Sequence, residues 1–199
     1  MLESWDALHP IALKPYGTIS RQFLELAVCD YRAAGHYVSH LPYSRNANPS
    51  DPLIVLKEKR GTCTTKHVLM RRLAIEQKLD VTLFLGVYAM TANNTPGIAE
   101  VLERHSLNSL PEAHCYLGSN GKKIDLTRAI APGKSEQITH FLHEEQIEPD
   151  QAGIYKRELH QRFLQQWIEK SGLSARYTLE GLWKIREECI ATIEASSCR

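Results

Sequence analysis

No Cys-x-x-Cys pair occurs in this 199-residue sequence, and its five cysteines (Cys29, Cys63, Cys115, Cys189 and Cys198) are odd in number and scattered. That spacing argues against a structural zinc site or a redox dithiol. It fits reduced thiols and a cytoplasmic setting. Charge of one sign is also missing: 24 Lys and Arg face 23 Asp and Glu, a formal net charge of +1. A partner held mainly by bulk charge, nucleic acid above all, is not expected. The longest apolar run, "VTLFLGVYAM", is far shorter than a bilayer span, and the first residues carry acidic side chains where a signal peptide would be apolar. No membrane partner is expected. Internal repeats, low-complexity tracts, P-loops, dinucleotide fingerprints and EF-hand runs are absent as well.

What remains has an ordinary globular composition, 43% hydrophobic and 24% charged. A chain of this length buries roughly 70% of its unfolded surface without staples. One domain over 1–199 is expected, with its motifs in 60–128 and a helical part over 135–199. Residues 1–17 look irregular. "SRQFLELAVCDYRAAGHYVSHL" has helical spacing, with Ser20 as a candidate cap. "LIVLKE" fits strand or helix. A helix is predicted from about Cys63 to Gln77 with Thr62 as N-cap, and "DVTLFLGVYAM" reads as a buried strand. "AHCYLGSNGKKIDLT" reads as a hairpin around Ser-Asn-Gly. After Thr127 the pattern turns helical. "HFLHEE" reads as a solvated helical face, and a stripe from Ile154 to Ile168 ends near Gly172. This order suggests an α+β fold with an antiparallel sheet.

The hairpin has a geometric consequence. Any even loop places His114 and Asp125 on one face, since side chains alternate with period two. A two-residue Asn120-Gly121 loop makes them diagonal; a four-residue loop sets them directly opposite. Cys115, Leu117, Ile124 and Leu126 then share the other, apolar face, which makes Cys115 a core residue. Cys63 stands at a helix start, where free N–H groups favour a thiolate. With an imidazole and a carboxylate nearby, it forms a chain-order Cys, His, Asp set. Its own N–H can donate to an oxyanion. His67, four residues on, lies on the same helix face. It reads as a packed or supporting residue, with zinc ligation by Cys63, His67, His114 and Asp125 the lesser reading.

These motifs resemble the transglutaminase-like superfamily of cysteine enzymes. The resemblance rests on Gly61-Thr62-Cys63, on Gly86 and Tyr88 in the following strand, on His114-Cys115-Tyr116 and on Asp125-Leu126-Thr127. Tyr116 stands where the family usually has Trp, Leu126 where it has Pro, and Val81-Thr82 where Ala-Arg is common. "RGTC" is more distantly similar to the arylamine N-acetyltransferases. The resemblance implies a papain-like fold with the cysteine helix packed on an antiparallel sheet. It implies Cys63 as nucleophile, His114 as general base and acid, and Asp125 as orienter. No cofactor and no metal are expected. The expected function is a cysteine hydrolase or acyltransferase acting on a peptide, a protein, or a small amide or thioester, through an acyl-cysteine intermediate. The alternative is a catalytically inactive module used for protein binding. The long 91–113 connection is expected to border the substrate cleft or to cover it as a lid.

Overall fold

The computed structural model describes residues 2–129 and 138–197. Within them run helices α1 (Thr18–Glu25), α2 (Tyr31–His40), α3 (Ile54–Glu58), α4 (Cys63–Glu76), α5 (Ala99–Arg104), α6 (Ile154–Lys170) and α7 (Leu179–Ser197). The strands are β1 (Leu2–Glu3), β2 (Thr82–Met90), β3 (Leu110–Ser119), β4 (Lys122–Ile124) and β5 (His143–Ile147). Cys198 and residues 135–137 of the expected helical part lie outside the described residues.

The strands form one sheet in the order β1-β4-β3-β2-β5. The α+β class holds, but the sheet is mixed. β1 pairs in parallel with β4, while the other pairings are antiparallel. A two-residue strand is too short to show alternation, so β1 has no signature in the local pattern. β5 also corrects the reading of "HFLHEE" as helical. Its exposure alternates, only Ile147 is buried, and it lies on the sheet edge beside β2. Charged side chains on an exposed edge suit such a strand.

The helix predicted across Ser20 to Leu41 is two helices. Ala27 takes a left-handed φ of 59° between them, and Asp30 starts the second by accepting the Ala33 N–H at 2.8 Å. Ser20 is not the cap of α1. Its hydroxyl accepts the Gly17 N–H at 3.0 Å, and the Glu76 carboxylate at the end of α4 takes the Ile19 and Ser20 N–H groups at 3.0 and 2.7 Å. One helix thus caps another across the core.

Two apolar clusters flank the sheet. The larger joins Leu69, Met70 and Leu73 of α4 to Leu83, Leu85 and Cys115 of the strands. The second joins Ile98, Val101 and Leu102 to Leu182, Ile185 and Cys189 of α7. The 91–113 connection therefore supplies core residues against α7. It is no lid: the cleft at Cys63 is lined by other segments.

Candidate active site

Thr62 is extended, at φ −88° and ψ 174°, and fixes the start of α4. Its hydroxyl accepts the Thr65 N–H at 3.4 Å, and the Thr65 hydroxyl accepts the Thr62 N–H at 3.0 Å. This reciprocal cap makes Cys63 the first helical residue. Gly61 is needed for packing rather than for substrate approach: a Cβ there would stand 2.9 Å from the Thr65 hydroxyl and 3.0 Å from Lys66. Asn46, in the loop upstream of Cys63, has its side chain committed to structural bonds. Its carbonyl accepts from Thr65 at 2.8 Å, and its amide donates to Glu58 and to the Arg60 carbonyl.

The hairpin turns on two residues, Asn120 and Gly121, with φ of 50° and 72°. Both are left-handed, as a type I′ turn requires. The register pairs Ser119 with Lys122 and Leu117 with Ile124. One step further places Tyr116 against Asp125, with His114 diagonal on the same face. The diagonal is short enough: His114 Nε2 lies 3.0 Å from Asp125 Oδ2. Cys115, Leu117, Ile124 and Leu126 are fully buried on the apolar face.

Asp125 is held from both sides. Its Oδ1 accepts from the Thr127 N–H at 2.8 Å and from the Thr127 hydroxyl at 2.5 Å. His67 fills the space between α4 and this segment. Its Nε2 accepts the Leu126 N–H at 2.7 Å, so Nδ1 carries the proton and donates to the Cys63 carbonyl at 2.6 Å. Burial then drives its pKa down to about 4, against the pull of Asp125. His67 is a neutral strut, as the packed reading anticipated. Among the described residues no group of three or more His, Cys, Asp or Glu side chains is arranged to hold a metal.

Cys63 is 7% exposed. Burial alone would push its thiol up. The Lys156 ammonium, the hydrogen bond and charge of His114, and the Cys115 N–H instead carry it down to about 5. His114 moves the opposite way. Burial lowers it, but the charge and hydrogen bond of Asp125, with those of Cys63, raise it to about 10. Burial raises the Asp125 carboxyl, and the His114 cation overrides this and holds it well below the usual range. Both shifts favour a thiolate beside an imidazolium. Since Nε2 faces Asp125, Nδ1 is the ring nitrogen of His114 left for Cys63 and the substrate.

Lys156 was not anticipated from the sequence. It projects from the first turn of α6, with Nζ 3.4 Å from Cys63 Sγ and 2.7 Å from the Thr64 hydroxyl. The only available signal was its place beside the stripe that begins at Ile154, and a lysine there is usually a surface residue with a buried stem. Cys63 and Lys156 open onto a cleft of about 830 Å³, which Tyr43, Arg157, Trp183 and Arg186 also line. His114 is not among the residues that line this cleft. Cys115 stays protonated, pushed up to about 11 by burial. No family model matches this chain, nor does any curated protein or solved structure.

Proposed function

We propose that this protein is a cysteine-dependent hydrolase or acyltransferase of papain-like, transglutaminase-like architecture, with Cys63, His114 and Asp125 as its catalytic triad. The single observation that carries this is a buried thiol at a helix start, with an ammonium 3.4 Å from its sulfur and with an imidazole, 3.0 Å from a fixed carboxylate, lowering its pKa. A structural cysteine needs no such partners. In an inactive binding module, a buried charged cluster of this kind would only add desolvation cost.

The chemistry follows from the charges. The Cys63 thiolate attacks the carbonyl carbon of an amide or thioester, and the carbonyl electrons move onto oxygen. The Cys63 N–H at the start of α4 stabilises that oxyanion. Lys156 Nζ, 3.4 Å from Sγ, is the second donor within reach. Imidazolium His114 gives its Nδ1 proton to the leaving amine or thiol as the carbonyl re-forms, which leaves an acyl thioester on Cys63. Neutral His114 then takes a proton from water while the water oxygen attacks the thioester. Release of the carboxylic acid restores the thiolate and the imidazolium. Asp125 holds the ring and stabilises its cation throughout, without becoming protonated. We favour water over an amine as acceptor, since no feature of the cleft marks an amine site.

The intermediate is the test. Brief exposure to an activated ester, quenched in acid, is expected to add one acyl group to Cys63 by peptide mass spectrometry. Cys63→Ser is expected to lose that adduct. An adduct on Lys156 or Cys29 with Cys63 unmodified would overturn the reading.

A further inference from the structure

The cleft carries more positive charge than its own acids balance at one place. Three of its arginines are neutralised. Arg45 pairs with Glu187 at 2.6 Å, Arg72 with Asp150 at 2.6 Å, and Arg186 holds Glu112 by two bonds of 2.9 and 2.6 Å. Lys156 faces the Cys63 sulfur. Arg157 differs. Among the described residues no carboxylate lies within ion-pair distance of it, and its guanidinium sits over the Trp183 ring, 5.5 Å from the centroid. A guanidinium stacked on indole keeps its N–H edge free, and that edge matches a carboxylate or phosphate. Arg157 and Trp183 line the same cleft as Cys63. Arg157 follows Lys156 directly in the first turn of α6, so one helix start presents both cations to whatever enters.

We propose that the cleft selects an anionic acyl donor, a small carboxylated or phosphorylated acyl compound whose anion rests on Arg157 while its carbonyl meets Cys63. This inference rests on the cysteine-enzyme reading above, since it assigns the other end of the substrate. A neutral acyl chain would leave the exposed Arg157 guanidinium paired with nothing but water. An anionic one completes the pairing already made at Arg45, Arg72 and Arg186.

Iodoacetate and iodoacetamide are matched probes that differ by the charge. The ratio of their rates at Cys63, followed by peptide mass spectrometry, is expected to exceed the ratio for free mercaptoethanol by about tenfold. Part of that comes from Lys156 and His114, so the decisive comparison is Arg157→Gln, which should cut the ratio by at least about threefold. Arg157→Lys should keep most of it. Millimolar glutarate or inorganic phosphate should slow the labelling. The stronger protector tells a carboxylated donor from a phosphorylated one. A ratio indifferent to Arg157→Gln, or protection by neither anion, would overturn the proposal. Efficient acylation of Cys63 with such indifference would leave the enzyme reading standing and remove only the anionic donor. Arg157-dependent iodoacetate labelling without any acyl-Cys63 would keep the anion site and contradict the reaction.

Discussion

His67 has both ring nitrogens committed, one to the Cys63 carbonyl and one to the Leu126 N–H. It is the direct link between the segment bearing the proposed nucleophile and the segment bearing Asp125. Replacing it with leucine keeps the apolar volume but strands the Leu126 N–H. An unsatisfied buried donor costs about 1–3 kcal/mol. His67→Leu is therefore expected to lower unfolding stability by that amount in a denaturant titration, and to weaken Cys63 reactivity through the displaced Asp125. His67→Leu with wild-type stability would show that the strut carries no load. At this scale the sequence was informative where spacing is rigid. His114 and Asp125 meet because the loop between the strands is even, and any even length keeps them on one face. Lys156 was illegible because 93 residues separate it from Cys63. Nothing local distinguishes a lysine aimed at a sulfur from one that ends in solvent.

At the scale of elements, the C-terminal helices are fixed to the sheet by a buried ion pair as well as by apolar packing. Glu112 on β3 is 5% exposed and accepts two bonds from Arg186 on α7. His160 on α6 adds a contact, with Nε2 2.8 Å from the Pro111 carbonyl. Burial would raise the Glu112 carboxyl, but Arg186 holds it down to about 2. Removing the cation leaves an uncompensated buried charge, which costs about 3–5 kcal/mol. Arg186→Met is expected to destabilise the protein by that amount in thermal or denaturant unfolding, and Arg186→Met with Glu112→Gln to recover much of it. Equal stability of the two variants would mean that the pair itself is not what holds α7. The long elements α4, α6 and α7, with β2, were readable because each shows enough turns or alternations for its period to emerge. β1 and β5 are too short or too polar for that, and the break at Ala27 is hidden inside a run whose apolar spacing continues across it. Both edge strands take their pairing from neighbours distant in sequence, a tertiary effect that local pattern does not encode.

Across the whole molecule, opposite halves of the chain supply the charges that act on one sulfur. α4 brings the thiol, the hairpin brings the imidazole and its carboxylate, and α6 brings the ammonium. A formal net charge of +1 conceals this local concentration, which is why composition alone was silent about it. The pH dependence of Cys63 is the sum of these parts. Its folded pKa is depressed to about 5, so the thiolate is lost only as pH falls through that value. His114 is raised to about 10, so the imidazolium persists until pH rises through that value. Between the two, thiolate and imidazolium coexist. The most direct measurement is the rate of iodoacetamide alkylation of Cys63 against pH, read by peptide mass spectrometry in the wild type, in Lys156→Met and in His114→Ala with Lys156→Met. The account predicts a wild-type midpoint near 5, a higher one in Lys156→Met, and an ordinary or raised thiol midpoint, about 8.5 or above, in the double variant. A wild-type Cys63 that titrates at about 8.5 like a free thiol would contradict it.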